Sequence, residues 1–256
     1  MHCLVAVPAR LESSRLPNKV LAEVGGKPML QRVLERCAQA SRPSAVVLCT
    51  DSEQLLQQAK RWGFEALLTS ASCASGSERI ASVSGQLLGR WGGSAESSLI
   101  INVQGDQPFI DPRVIDAMAD AFSNRNPAPE VVTPVYLMSA KNIHNPNVVK
   151  TLLASDGRAL YFSRSAIPHV RGVDPEHWAD HASYWGHVGI YGYRHDVLRR
   201  WDDLPHSPLE QIEKLEQLRL IEAGIEIGTF EVGGESLSVD TAEQLEQARA
   251  IASAEL

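Results

Sequence analysis

Residues 7–21, VPARLESSRLPNKVL, hold Arg10, Arg15 and Lys19 within ten positions, with Ser13 and Ser14 between them as small side chains that let backbone amides approach an anion. Three cations in one loop suit a triphosphate. Taken alone they would read as ordinary surface charge. The loop directly follows the first apolar run, residues 3–7, where a doubly wound sheet presents its ligand crevice, and that position favours an anion site. Side chains and loop amides would do the holding. No G-x-x-x-x-G-K-[ST] occurs, and Gly25-Gly26-Lys27-Pro28 carries proline where a Walker loop needs a hydroxyl. Such a cluster could neutralise a pyrophosphate leaving after attack at an α-phosphorus.

A second constellation, NVQGDQP at residues 102–108, carries an apolar strand straight into Gln104, Gly105 and Asp106. Gly105 permits an unusual backbone angle there. Asp106 could hold magnesium, which takes one or two protein carboxylates and completes its shell with phosphates and water. A strand-end aspartate is more often a cap or turn former, so a second acid is needed. Asp240, in SVDT, could supply it, although it could equally cap a helix starting at Thr241. His177 and His181, at i and i+4 with His187 nearby, raise zinc. Acidic and aromatic residues interrupt that region and no cysteine joins it, so these read as surface or substrate-facing histidines.

The composition narrows the partners. The chain has 256 residues, 44% of them hydrophobic, enough for a full core. A net charge of -7 argues against a general nucleic-acid or anionic-membrane surface. No stretch approaches the roughly 20 apolar residues of a membrane span, and the opening MHCLVAVPAR lacks a leader pattern, so a cytoplasmic protein is expected. Cys3, Cys37, Cys49 and Cys73 are far apart, without metal-ligand spacing; three of them fall in apolar segments and read as buried thiols, and disulfides are not expected.

The elements that must position these groups alternate strand and helix through the first half, which predicts an α/β fold with a parallel sheet. Strands are expected at 3–7, 45–49, 65–68 and 99–103. Helices are expected through Met29, Leu30, Val33, Leu34 and Cys37, at 53–62 behind an Asp51 cap, at 77–91, and at 112–123. The pattern then changes to strand-like runs at 131–138, 148–153 and 159–163, which read as antiparallel, with 164–184 irregular. A strand at 187–193, one amphipathic helix at 209–223, a strand at 225–232 and a helix from 241 finish the chain.

PARLESSRLPNK, GGKPML, ASGSER at 74–79, NVQGDQP, NPNVVK at 145–150, ALYFSRSAIP at 159–168, GIYGYR at 189–194, PLEQIEKLEQLR at 208–219 and VDT follow one another over nearly the whole chain. In that order they resemble the 3-deoxy-manno-octulosonate cytidylyltransferases, also called CMP-KDO synthetases, whose members open with P-A-R-x-x-S-[ST]-R-L-P-x-K. The departures are Asn18 where glycine is common, Gln107 for glutamate, and Ser238 for glycine.

The resemblance implies a Rossmann-like nucleotidyltransferase sheet, mostly parallel with helices on both faces. Residues 1–128 and 206–256 would form the nucleotide-binding core, and 129–205 an inserted β-rich subdomain for dimerisation and sugar binding. It implies transfer of CMP from CTP to the anomeric hydroxyl of 3-deoxy-D-manno-octulosonate (KDO), for lipopolysaccharide or related envelope glycans, by a magnesium-dependent homodimer. Arg10, Arg15 and Lys19 would take the triphosphate; Pro8, Ala9, Ser75, Gly76, Arg79 and Gln104 would complete the CTP site; Asp106 and Asp240 would hold the metal. Arg15, Lys19, Asp106 and Asp240 would be catalytic, and Gln104, Arg164, His187, Tyr191, Glu210 and Gln217 would line the sugar site. Arg164 matches the sugar carboxylate by charge and fork geometry, and Glu210 and Gln217, two turns apart on one helix, would share a face. Enzymes activating sialic acid or an amino-KDO share this chemistry. A nucleotide-binding regulatory module without turnover would keep the basic loop but need neither aspartate.

Overall fold

The computed structural model describes residues 2–12, 16–95, 97–125, 127–234 and 237–254. In chain order it begins with β1 (His2–Ala9), the two-residue strands β2 (Glu23–Val24) and β3 (Lys27–Pro28), α1 (Met29–Cys37), β4 (Ala45–Thr50) and α2 (Glu53–Arg61). Next come β5 (Glu65–Leu68), α3 (Gly76–Trp91), β6 (Ser98–Asn102), α4 (Pro112–Ser123), β7 (Val131–Leu137), β8 (Lys150–Leu153) and β9 (Ala159–Ser163). It ends with β10 (Trp185–His187), β11 (Tyr191–Arg194), α5 (His195–Arg199), α6 (Pro208–Glu213), α7 (Leu218–Glu222), β12 (Ile227–Glu231) and α8 (Ala242–Ala254). Among the described residues no helix is long and apolar enough to cross a membrane.

Two compact units result: residues 1–120, 192–201 and 236–256 form the first, and 121–191 with 202–235 the second. These bounds differ from the expected 129–205 insertion. The chain revisits the first unit for residues 192–201, and α6, α7 and β12 belong to the second.

In the first unit the strand order is β5-β4-β1-β6-β11, and β4 and β6 both pair parallel with β1. β1 is buried from Cys3 to Ala9 with no alternation, as a parallel strand covered on both faces requires. The register Ala6↔Asn102 sets which loops meet. It makes the carboxyl ends of β1 and β6 emerge side by side, so the basic loop and Gln104–Gly105–Asp106 leave the same edge. The return of residue 240 to that edge is a packing effect. Val239, Leu245, Ala248 and Ala252 bury against Val24 and Met29, and the Val239 amide donates to the Asp106 carbonyl at 2.9 Å.

Two helix starts differ from expectation for one reason. Ser52, not Asp51, caps α2 by accepting from the Leu55 amide. Thr241, not Asp240, caps α8: its hydroxyl accepts from the Gln244 amide, while the Gln244 side chain accepts from the amides of Asp240 and Thr241. In both cases a hydroxyl residue next to the acid takes the cap.

The second unit is β-rich. β7 pairs parallel with β12 and antiparallel with β10, and β10-β8-β9 continues antiparallel. The expected strand at 187–193 is two strands, β10 and β11, interrupted at residues 188–190. The expected helix at 209–223 is also broken. Lys214 closes α6 in the left-handed region at φ 56, and α7 starts only at Leu218.

Candidate active site

The first unit contains a cavity of about 250 Å³ at the carboxyl edge of its sheet. Of the sequence-selected residues, Pro8, Ala9, Arg10, Lys19, Ser75, Gly76, Arg79, Gln104, Asp106 and Asp240 all line it. Arg15, Ser13 and Ser14 lie outside the described residues.

At its base Asp106 and Asp240, far apart in sequence, converge on one cation. Lys19 Nζ donates to Asp106 Oδ2 at 2.7 Å and to Asp240 Oδ1 at 2.9 Å. The Ser238 hydroxyl donates to the other oxygen of Asp106 at 3.3 Å. Burial opposes the charge on Lys19, but Asp106 and then Asp240 outweigh it, so the ammonium is held above the usual lysine value. The Lys19 side chain is only 12% exposed, so the pair is more than a solvated surface contact. Asn18, immediately before it, sits in the left-handed region at φ 54, a conformation asparagine tolerates better than most residues.

One wall is the start of α3. Ser75 caps the helix by accepting from the Glu78 amide at 3.1 Å. A Cβ on Gly76 would stand 3.1 Å from both amide atoms of Gln104 and from Pro8, so any side chain there would push Gln104 or Pro8 back by a few tenths of an ångström. Gly105 is a similar case. The freedom of angle that glycine permits is not used, since its φ is not positive; a Cβ there would meet the Pro8 carbonyl at 3.1 Å, so the position asks for space.

Gln104 is oriented from behind. Its Nε2 donates to Asn102 Oδ1 at 2.9 Å, Asn102 Nδ2 donates to Ser77 Oγ at 3.2 Å, and Ser77 shares a 2.8 Å hydrogen bond with the Tyr193 hydroxyl. Asn102 and Ser77 are fully buried, so this polar chain fixes which face of the Gln104 amide is spoken for. Sequence reasoning overlooked Asn102. The available signal was a polar residue ending the apolar strand SLIIN, two places before Gln104. Arg79 is held differently from a free phosphate ligand. It is 3% exposed and bonds Asp51 at 2.9 Å, with Thr69 and the Ser70 carbonyl as further acceptors. It shapes the wall rather than reaching across the cavity.

Comparison with known proteins supplies the family. The cytidylyltransferase family profile matches residues 4–227. A 3-deoxy-manno-octulosonate cytidylyltransferase of Idiomarina loihiensis is 42% identical over 98% of this chain and 99% of its own length. One from Escherichia coli is 40% identical over 99% and 97%. The chain belongs to the 3-deoxy-manno-octulosonate cytidylyltransferase family. A solved CMP:2-keto-3-deoxy-manno-octonic acid synthetase complexed with CTP superposes over 100% of both chains with a TM-score of 0.89 at 39% identity. A Bacillus anthracis structure described as a glucose-1-phosphate thymidylyltransferase shares the fold, at 16% identity and TM-score 0.67 over 98% of this chain and 95% of its own.

The sugar-side residues inferred from this family, Gln104 apart, lie in the second unit, and two are already engaged. Arg164 Nε donates to the Glu213 carbonyl at 2.8 Å and its NH1 to the Pro146 carbonyl at 3.2 Å. Its amide and the Ser163 hydroxyl bind the Glu213 carboxylate. The guanidinium expected to meet a sugar carboxylate therefore tethers the end of α6 in this structure. Glu210 accepts a two-pronged bond from Arg219 at 2.8 and 3.2 Å. Because α6 ends at Lys214, Glu210 and Gln217 do not share one helical face, which corrects the expected two-turn spacing. Gln217 is buried, and its Nε2 has no hydrogen-bond partner among the described residues.

His187 and Tyr191 do meet, with ring centroids 5.3 Å apart. Thr133 donates its hydroxyl to the Ile190 carbonyl at 2.7 Å and so accepts from His187 Nε2 at 3.0 Å, which assigns the Nε2–H tautomer. Burial lowers the His187 imidazole to about 3, and the ring is neutral at physiological pH. The sign of the linkage follows. Between about pH 3 and 6.5 the unfolded chain binds this proton and the folded one does not, so stability falls as pH drops through that window. The slope attributable to His187 should reach at most about 1.4 kcal/mol per pH unit. Denaturant titrations at several pH values should show a shallower slope for His187→Gln; identical slopes would contradict the assignment.

Proposed function

We propose that this chain transfers the CMP moiety of CTP to the anomeric hydroxyl of KDO and releases pyrophosphate. The observation that carries the reading is the convergence of Asp106 and Asp240 on a single cation, 2.7 and 2.9 Å away, inside a cavity also lined by Arg10 and the capped start of α3. A regulatory nucleotide module has no need of two acids at that point. The family relatives, named for this activity, support the same substrates.

Two carboxylates aimed at one positive point suit magnesium, with the Lys19 ammonium as its stand-in, and Asp106 and Asp240 would hold the ion. Bound there, magnesium would supply charge neutralisation on the phosphates and a lower pKa for the attacking hydroxyl. The chain's own residues do the rest. Arg10 binds and orients the triphosphate, the start of α3 from Ser75 to Arg79 lies near the cytosine, and Gln104, locked by Asn102, contacts the substrates at the edge of the sheet. The sugar oxygen attacks the α-phosphorus in line. A P–O bond to the sugar forms as the bond to the bridging oxygen breaks, pyrophosphate takes the electron pair, and the hydroxyl proton passes to solvent. Lys19 and Arg15 would face the departing pyrophosphate. No covalent enzyme intermediate is required.

His187 and Tyr191 are the sugar-side pair this reading favours, with Arg164, Glu210 and Gln217 as further candidates from the family. A cytoplasmic homodimer acting in lipopolysaccharide synthesis completes the proposal. The test is pyrophosphate release with CTP and magnesium across KDO, an amino-KDO and sialic acid. KDO should give the highest kcat/KM. Preference for another sugar would reassign the substrate, and CTP binding without release with any sugar would favour the regulatory module.

A further inference from the structure

The cation shared by Asp106 and Asp240 belongs to the chain itself, and that has a consequence for how a metal could enter. Lys19 Nζ engages one oxygen of each carboxylate, and Ser238 holds the remaining oxygen of Asp106. Its backbone is fixed by the turn Lys19–Leu21, in which Val20 is buried. A divalent ion needs these same carboxylate oxygens, and at about 2.1 Å magnesium cannot share them with an ammonium already in contact. A metal arriving alone must evict Lys19 into a cavity whose other basic lining residues, among the described residues, are Arg10 and Arg79 and whose one further described acid, Glu12, is exposed. A triphosphate changes that balance. It offers Lys19 new anionic acceptors and brings its own oxygens to complete the metal shell.

We propose that Lys19 is a resident cation that closes the metal position between Asp106 and Asp240 until a nucleoside triphosphate draws it away, so that divalent metal and nucleotide load together. This rests on the two aspartates being the metal ligands of the proposed function. The same side chain then serves twice, first as a placeholder and later against the phosphates. The coupling is reciprocal: metal weakens the hold of the acids on Lys19 by as much as Lys19 weakens metal.

The test uses Mn2+ alone, with neither nucleotide nor sugar, and reads free Mn2+ by electron paramagnetic resonance. Lys19→Met should bind Mn2+ about tenfold or more tightly than the wild type. Lys19→Arg, which keeps a cation at the site, should stay near wild type. Arg10→Met removes a charge from the same cavity without touching the acids, and should gain no more than about threefold through general electrostatics. Lys19→Gln serves in place of the methionine variant if that protein does not fold. Equal affinity of wild type and the neutral variants would overturn the proposal, as would an Arg10→Met gain as large as that of Lys19→Met. Because no turnover is involved, these outcomes are independent of the sugar panel: the enzyme could process KDO with Lys19 playing no gating part, and the reverse holds too.

Discussion

Asp106→Asn is expected to lower pyrophosphate release with CTP, KDO and magnesium by about 10³-fold. Asparagine keeps the size of the side chain, and the backbone bond from Val239 to the carbonyl of residue 106 is untouched. What disappears is the negative charge, one of two that converge on the cation position, so the change should be chemical rather than architectural. Far-UV circular dichroism should match the wild type, and a melting temperature within a few degrees is consistent with a partly exposed position, since the Asp106 side chain is 20% accessible. A rate within tenfold of the wild type would remove Asp106 from the role given to it.

The largest expected effect on stability lies at Lys150, in the second unit. This residue is fully buried on β8, and its ammonium donates to the carbonyls of Asn145 at 2.9 Å, Val148 at 2.7 Å and Arg164 at 2.5 Å. Burial, helped by the neighbouring Arg164 charge, lowers its proton affinity, while Glu213 works the other way. The group is kept for its donors. Lys150→Met would take this donor from three carbonyls, of which that of Asn145 keeps the Val148 amide at 3.2 Å, at a cost of about 3 kcal/mol. Urea titration should show a lower midpoint with little change in slope. A loss under about 1 kcal/mol would mean that water replaces the ammonium. Since the Arg164 carbonyl is one of the three, the same variant should also loosen the tether between that residue and Glu213.

Much of this architecture was legible from residue order. The run CLVAV followed by a cationic loop, and LIINV followed by QGD, mark two strand ends, and parallel pairing to a common neighbourhood then forces their loops together. Helix α1 buries Met29, Leu30, Val33, Leu34 and Cys37, the residues its periodicity selects, and α4 spans Pro112–Ser123 as its opening proline suggests. The failures are also physical. Periodicity through 209–223 is continuous in sequence, yet Lys214 adopts a left-handed angle that no pattern of hydrophobicity encodes. Residues 187–193 are apolar or aromatic enough for one strand, but the buried hydroxyl of Thr133 captures the Ile190 carbonyl and the His187 ring between the two short strands that form instead. Partners of Arg164 and Glu210 come from residues 9 to 50 positions away, which is tertiary information that spacing does not contain.

The hydroxyl caps at Ser52 and Thr241 have a bearing on how such a protein can change over generations. Because the helix ends are secured by neighbours, a substitution at Asp51 or Asp240 does not begin by unwinding a scaffold. Under the metal role proposed for Asp240, heritable variation there is exposed to selection on metal preference and turnover, while the cap of α8 stays with Thr241. A lineage could retune its ion chemistry there one step at a time without first acquiring a compensating stabiliser.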